Sequence, residues 1–131
     1  MATITSLFER TQPQERRIAL DVPVALVHET GTVAAASGLD ISVSGLHVVC
    51  SQLALDSLYR SDVPLMEDVS YLDAHFMLPL FSLDPKVDVR CRLSYQERRA
   101  PGEFLLGLEF LQLWGDSRRL LTQFLGEPPH C

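Results

Sequence analysis

Regular patterning begins at residue 18. Apolar side chains at Ile18, Leu20, Val22, Val24 and Leu26 recur with a period of two, which predicts a strand with one buried face. Pro23 lies on the opposite phase and has no N–H to give a ladder, so this strand should be an edge or carry a bulge. The turn signal Glu29-Thr30-Gly31 precedes a short strand of small residues, Thr32 to Ser37, ending at Gly38. A turn-like element follows. Leu46, Val48 and Cys50 then share one face of a third strand, with His47 and Val49 on the other.

Residues 51–69 break the alternation. Leu53, Leu55, Leu58 and Tyr59 are spaced for one or two helical turns and Pro64 stops a simple continuation, which predicts an inserted connection with a short helix. Strand character returns from Tyr71 to Leu80, limited by Pro79. It is clearest where Val87, Val89, Cys91, Leu93 and Tyr95 alternate with Asp88, Arg90, Arg92 and Ser94. The charged stretch Gln96 to Gly102 predicts a hairpin loop closed by Pro101-Gly102, leading into a strand that aligns Phe104, Leu106, Leu108 and Phe110. Asp116 or Ser117 can cap a helix over Arg118 to Leu125, with Gly126 at its end and Pro128 beyond.

Six short antiparallel strands and one amphipathic helix suit a small closed or nearly closed barrel, because closure removes exposed sheet edges. The expected class is mainly β: a six-stranded antiparallel β-barrel with a C-terminal α-helix and a short helical insertion. A flexible arm over residues 1–14, a domain over 15–126 and a tail over 127–131 complete the plan.

Composition narrows the function. The 131 residues fit one domain, and 47% hydrophobic with 21% charged residues matches a globular chain and excludes a disordered tail or a collagen. No run approaches the ~18 apolar residues needed to span a bilayer, and the start lacks a basic n-region and an apolar core, so a chain without membrane insertion or export is expected. Cys50, Cys91 and Cys131 are odd in number and lack CxxC spacing, which signals neither a disulfide framework nor a zinc knuckle and fits a reducing cytoplasm. The net charge of -6 disfavours nucleic acid polymers, yet a few arginines can hold a small anion locally. Lys86 is the only lysine beside ten arginines, and a guanidinium offers phosphate or guanine a planar fork that an ammonium lacks.

His28, His47, His75 and His130 show no metal-binding spacing, and no GxSxG, P-loop or GxGxxG motif occurs, so no metal, cofactor or enzymatic activity is expected. Cys50 and Cys91 fall on apolar strand phases, and Trp114 reads as core or interface. Arg98 and Arg99 belong to the hairpin tip, in a solvated or partner-binding role. Arg90 and Arg92 read as barrel-surface charges, one of which could line a ligand groove.

Two features carry candidate chemistry. Arg16 and Arg17, with Arg10 nearby, sit where the arm meets the first strand and can fold over a ligand at the barrel surface. Asp40-Ile41-Ser42-Val43-Ser44-Gly45 forms a polar hinge in which Asp40 accepts hydrogen bonds, Ser42 donates or accepts, and Gly45 permits a backbone angle other residues avoid.

These residues resemble the PilZ domains, which bind the bacterial second messenger cyclic di-GMP. The family signature pairs an RxxxR arm with a [D/N]xSxxG hinge roughly twenty residues later, and Asp40, Ser42 and Gly45 match the hinge in full. Gly107-Leu108-Glu109-Phe110-Leu111 and the helix carrying Arg118-Arg119-Leu120-Leu121 and Phe124-Leu125 resemble the family's last strand and closing helix. The arginine motif departs from the pattern. Arg17 as first arginine puts Asp21 at the second position; Arg17 as second puts Pro13 at the first, and this register is preferred because Arg17 then directly precedes the alternating strand. The resemblance implies a non-enzymatic receptor in which Arg17 and Arg16, with Arg10, grip guanine and phosphate while Asp40, Ser42 and Gly45 shape the opposite side. It also implies a downstream protein partner. The alternative is a PilZ-like adaptor that has lost the nucleotide and acts through protein contacts alone, as in pilus or motility machinery.

Overall fold

The computed structural model describes residues 16–59, 71–80 and 84–126. The expected arm with Arg10, the residues around Pro64 and the expected tail lie outside these described residues. The elements, in chain order, are β1 (Ile18–Ala19), β2 (Pro23–His28), β3 (Val33–Ile41), β4 (Gly45–Ser51), α1 (Gln52–Tyr59), β5 (Leu72–Met77), β6 (Lys86–Ala100), β7 (Glu103–Leu113) and α2 (Ser117–Leu125). All strand pairs are antiparallel, in the order β1-β3-β2-β5-β6-β7-β4, and an additional β3–β4 pairing closes the ring.

β1 and β2 are two pieces of one strand, since they pair with successive parts of β3: Ile18 opposes Ile41, whereas Pro23 opposes Ser37. The described strands thus form the six-stranded closed barrel expected from the alternation. The break falls at Leu20-Asp21-Val22, just before the residue that cannot donate. It is bridged by the Leu20 N–H donating to the Leu39 carbonyl at 2.9 Å and the Gly38 N–H donating to the Val22 carbonyl at 2.8 Å.

Alternate residues of every strand fill the barrel. Leu20, Val24, Leu26, Leu46, Val48, Leu72, Val89, Cys91, Leu106 and Leu108 are all buried in one cluster, which Leu55 and Leu58 of α1 and Leu121 and Leu125 of α2 join. α1 lies against β3, β4 and β7, while α2 lies against β6. Burial pushes the thiols of Cys50 and Cys91 above their ordinary range, consistent with packing rather than reactivity.

Several local expectations are corrected. The hairpin loop expected over Gln96 to Gly102 is strand as far as Ala100, and only Pro101 and Gly102 form the turn, with Gly102 at φ 76°. β5 pairs with β6 no further than Cys91, so among the described residues the outer half of β6 has β7 as its only strand neighbour, and residues 94–99 are exposed. Two wet faces leave no apolar alternation to read. Leu53 belongs to α1 but points to solvent, and Ser51 caps that helix by accepting the Ala54 N–H at 3.1 Å. Asp116 stands at the N-cap of α2 without a side-chain cap bond. Ser117 instead ties the helix to β6 by accepting the Asp88 N–H at 3.0 Å, and Gly126 ends the helix in the left-handed region at φ 72°.

Leu121 is the buried centre of the α2 face. Leu121→Ala is expected to lower unfolding free energy by about 2–5 kcal/mol, read as a drop in urea midpoint with an unchanged slope.

Candidate functional site

β3 does not stop at Gly38. It continues through a register shift between Gly38 and Asp40 that leaves Asp40 half-buried on the outer surface and turns Ile41 inward. The hinge proper is therefore only Ser42 to Ser44. The Ser42 N–H donates to the Gly45 carbonyl at 2.9 Å, and the Ser44 N–H donates to Ser42 Oγ at 3.3 Å, which holds the Ser42 hydroxyl in place. Gly45 is not at positive φ among the described residues, so the expected role as a special backbone angle is corrected. Its requirement is close approach: a Cβ here would sit 2.5 Å from the Leu108 carbonyl oxygen of β7.

Arg17 precedes β1 and closes onto this hinge. Its Nε donates to Asp40 Oδ1 at 2.7 Å and its Nη1 donates to Ser42 Oγ at 2.9 Å, partners 23 and 25 residues away. One planar fork thereby reads a carboxylate and a hydroxyl together, the geometry for which arginine is suited. The neighbouring Arg16 turns the other way. Its Nη1 donates to the Leu125 carbonyl at 2.9 Å, placing a cation at the C-terminal, negative end of α2. The structure thus brings Arg17, Asp40, Ser42 and Gly45 together and places Arg16 at the helix end, while Arg10 lies outside the described residues.

Two further residues join the site that the alternation alone did not disclose. His47 faces Asp40 across the β3–β4 pair, with Nδ1 2.7 Å from Asp40 Oδ1. Its Nε2 lies 2.5 Å from the Tyr95 hydroxyl, and the two rings meet edge-on with centroids 5.7 Å apart. Partial burial holds the Tyr95 phenol above its ordinary value, so it keeps its proton at neutral pH, and His47 bridges the phenol to the Asp40 carboxylate through its two ring nitrogens. Tyr95 was expected on the buried phase. A bulge overturns that: Leu93 opposes Leu108 and Tyr95 opposes Gly107, so Ser94 is an extra residue and the phase inverts. Ser94 Oγ donates to the Gly107 carbonyl at 2.9 Å, and the Tyr95 ring covers Gly107, where any Cβ would collide with it.

The other arginines are engaged differently. Arg90 forms a two-pronged pair with Asp73 at 2.8 and 3.2 Å, and its guanidinium lies 3.8 Å from the Tyr71 ring centroid and 5.4 Å from that of Trp114. Arg92 pairs with Glu109 at 2.5 Å, and Arg99 with Glu103 at 3.6 Å. Among the described residues no group of three His, Cys, Asp or Glu side chains is placed to hold a metal ion, and no helix is long and apolar enough to cross a membrane.

The family profile of the PilZ domain matches residues 11–127. The chain belongs to the PilZ domain family. A comparison with curated proteins returned no match. Among solved structures, the inhibitor of motility MotI/DgrA from Bacillus subtilis superposes with a TM-score of 0.66 at 15% identity, covering 86% of this chain and 48% of that one. The PilZ domain of YcgR from Escherichia coli, solved with c-di-GMP, gives a TM-score of 0.61 at 9% identity, covering 88% of this chain and 89% of that one. PlzA from Borreliella burgdorferi, also in complex with c-di-GMP, gives 0.56 at 14% identity, covering 95% of this chain and 57% of that one. The chain spans about half the length of the Bacillus protein, and identities this low show a shared fold.

Gly45→Ala forces β4 away from β7. An expected loss of about 1–3 kcal/mol should be read in denaturant titration, whereas a stability equal to the parent would mean the Leu108 carbonyl yields without cost.

Proposed function

We propose that this chain is a receptor for cyclic di-GMP that relays binding by protein contact and catalyses no reaction. One observation carries the reading: Arg17 closes on Asp40 and Ser42, both members of the hinge motif. Guanine presents O6 and N7 as adjacent acceptors that a guanidinium fork can engage, and phosphate presents a pair of oxygens suited to the same fork. Asp40 can accept from the base N–H groups. In the free protein these groups satisfy one another, which keeps them oriented, and the dinucleotide exchanges that pairing for contacts of its own. The PilZ domain of YcgR and PlzA, similar in fold, carry the same ligand in their printed descriptions, which supports the choice.

The relay follows from the position of Arg17. It precedes the first strand, so in this reading a ligand held by Arg17 orders the preceding segment and presents a new surface to a downstream protein, within a cytoplasmic setting. A second reading, a nucleotide-free adaptor, is favoured by Pro13 at the first arginine position and by the engagement of Arg16 with the end of α2.

Calorimetry with cyclic di-GMP separates the two. Saturable heat is expected, and Arg17→Ala should weaken binding about tenfold to a hundredfold, because a charge-assisted hydrogen bond contributes about 1.5–3 kcal/mol. Absence of heat at high micromolar ligand, or unchanged affinity in Arg17→Ala, would overturn the receptor reading. Recovery of one protein partner regardless of nucleotide and of Asp40→Ala would establish the adaptor.

A further inference from the structure

Resting on the receptor reading, we infer that β6 supplies the half of the site that the arm lacks, with Tyr95 as the stacking face for a guanine and Arg92 as a second guanidinium. Strand register sets them beside the hinge. His47, Gly107 and Tyr95 oppose one another across β4, β7 and β6, and Gly45, Glu109 and Arg92 do the same in a neighbouring row. Strands in a sheet lie ~4.8 Å apart, so the backbones of Arg92 and Tyr95 run two strands, roughly 10 Å, from those of Gly45 and His47, a gap that the side chains span. Both project to the outer surface that carries Asp40, and the Arg17 charge acts on the Tyr95 phenol from there.

Tyr95 is built as a platform. The residue is 41% exposed, with its ring seated over the bare backbone of Gly107. The hydroxyl is anchored through His47 to Asp40, the carboxylate that also holds Arg17. Little freedom remains to be lost when a base settles on it, and a base resting there turns its hydrogen-bonding edge toward the Arg17 fork.

Of the two arginines in the half of β6 that precedes the Ser94 bulge, Arg92 is the available one. Arg90 is locked by both oxygens of Asp73 and by two aromatic rings. The Arg92–Glu109 pair is about half exposed on both sides, and such exposed pairs hold weakly, so Arg92 can exchange the carboxylate for a phosphate. Glu109 then acts as a brake. Its charge occupies Arg92 in the free protein and repels the anionic ligand.

The test is calorimetry with cyclic di-GMP on the intact chain and four variants. Tyr95→Phe keeps the ring but loses the anchor to His47, and should weaken binding less than Tyr95→Leu does. Tyr95→Leu still covers Gly107 but has no aromatic face, and should weaken binding about fivefold to a hundredfold. Arg92→Gln should weaken it about tenfold, and Glu109→Gln should tighten it several-fold. Urea midpoints near the parent value confirm that each variant is folded. Parent binding with Tyr95→Leu and Arg92→Gln both within twofold of it overturns the role of β6 and leaves the receptor intact. No binding by the parent overturns the receptor and this inference with it. A Glu109→Gln variant that binds more weakly overturns the brake and makes the pair a structural support.

Discussion

The outer surface around the bend between β3 and β4 is organised by one shared guanidinium. Arg17 is held at 2.7 Å by the Asp40 carboxylate and at 2.9 Å by the Ser42 hydroxyl, and these two bonds join the segment that enters the barrel to the bend between β3 and β4. Asp40 is also the acceptor for His47, and His47 is bonded to Tyr95, so β3, β4, β6 and the segment before β1 meet through one carboxylate. A charged network of this kind is costly when a member is left unpartnered and rigid when complete. Here every bond in the sequence Tyr95, His47, Asp40, Arg17, Ser42 finds a donor and an acceptor.

Barrel closure makes that network possible. β3 is long enough to pair with both pieces of the first strand on one side and with β4 on the other, so the bend at Ser42 to Ser44 is clamped by neighbours. The Phe110 N–H donates to the Ser44 carbonyl at 2.8 Å, fastening the bend to β7 as well. Two bulges then do what regular alternation cannot. One sets Asp40 outward while Ile41 stays in the core, and the other brings Tyr95 out of the core phase and over Gly107.

Much of this was legible in the sequence. The period-two runs located six strands, the Asp40-Ser42-Gly45 spacing marked the bend, and the preferred register for Arg17 set it opposite Asp40. What escaped was whatever depends on a register irregularity or on solvent exposure. Tyr95 continued an apolar alternation, so nothing local betrayed the extra residue at Ser94. Gln96 to Arg99 looked like a loop because a strand wet on both faces has no periodic apolar signal. Gly45 answers to a close approach and not to the special angle expected of it, since a backbone approaching another strand leaves no mark in its own neighbours. His47 was recoverable in principle: once Asp40 and Gly45 define a tight bend, antiparallel pairing sets His47 against Asp40. The divergence of Arg16 from Arg17 was not, because successive residues entering a strand point to opposite sides and only the fold shows what waits there.

Nuclear magnetic resonance of the Arg17 side chain during a cyclic di-GMP titration tests most directly whether that guanidinium is the ligand clamp. The predicted result is a saturable displacement of the Arg17 Nε–H resonance, moving in step with the amides of Ser42 and Gly45 and with the ring of Tyr95. A stationary Arg17 signal while the dinucleotide binds elsewhere, or a spectrum indifferent to the dinucleotide, would contradict it.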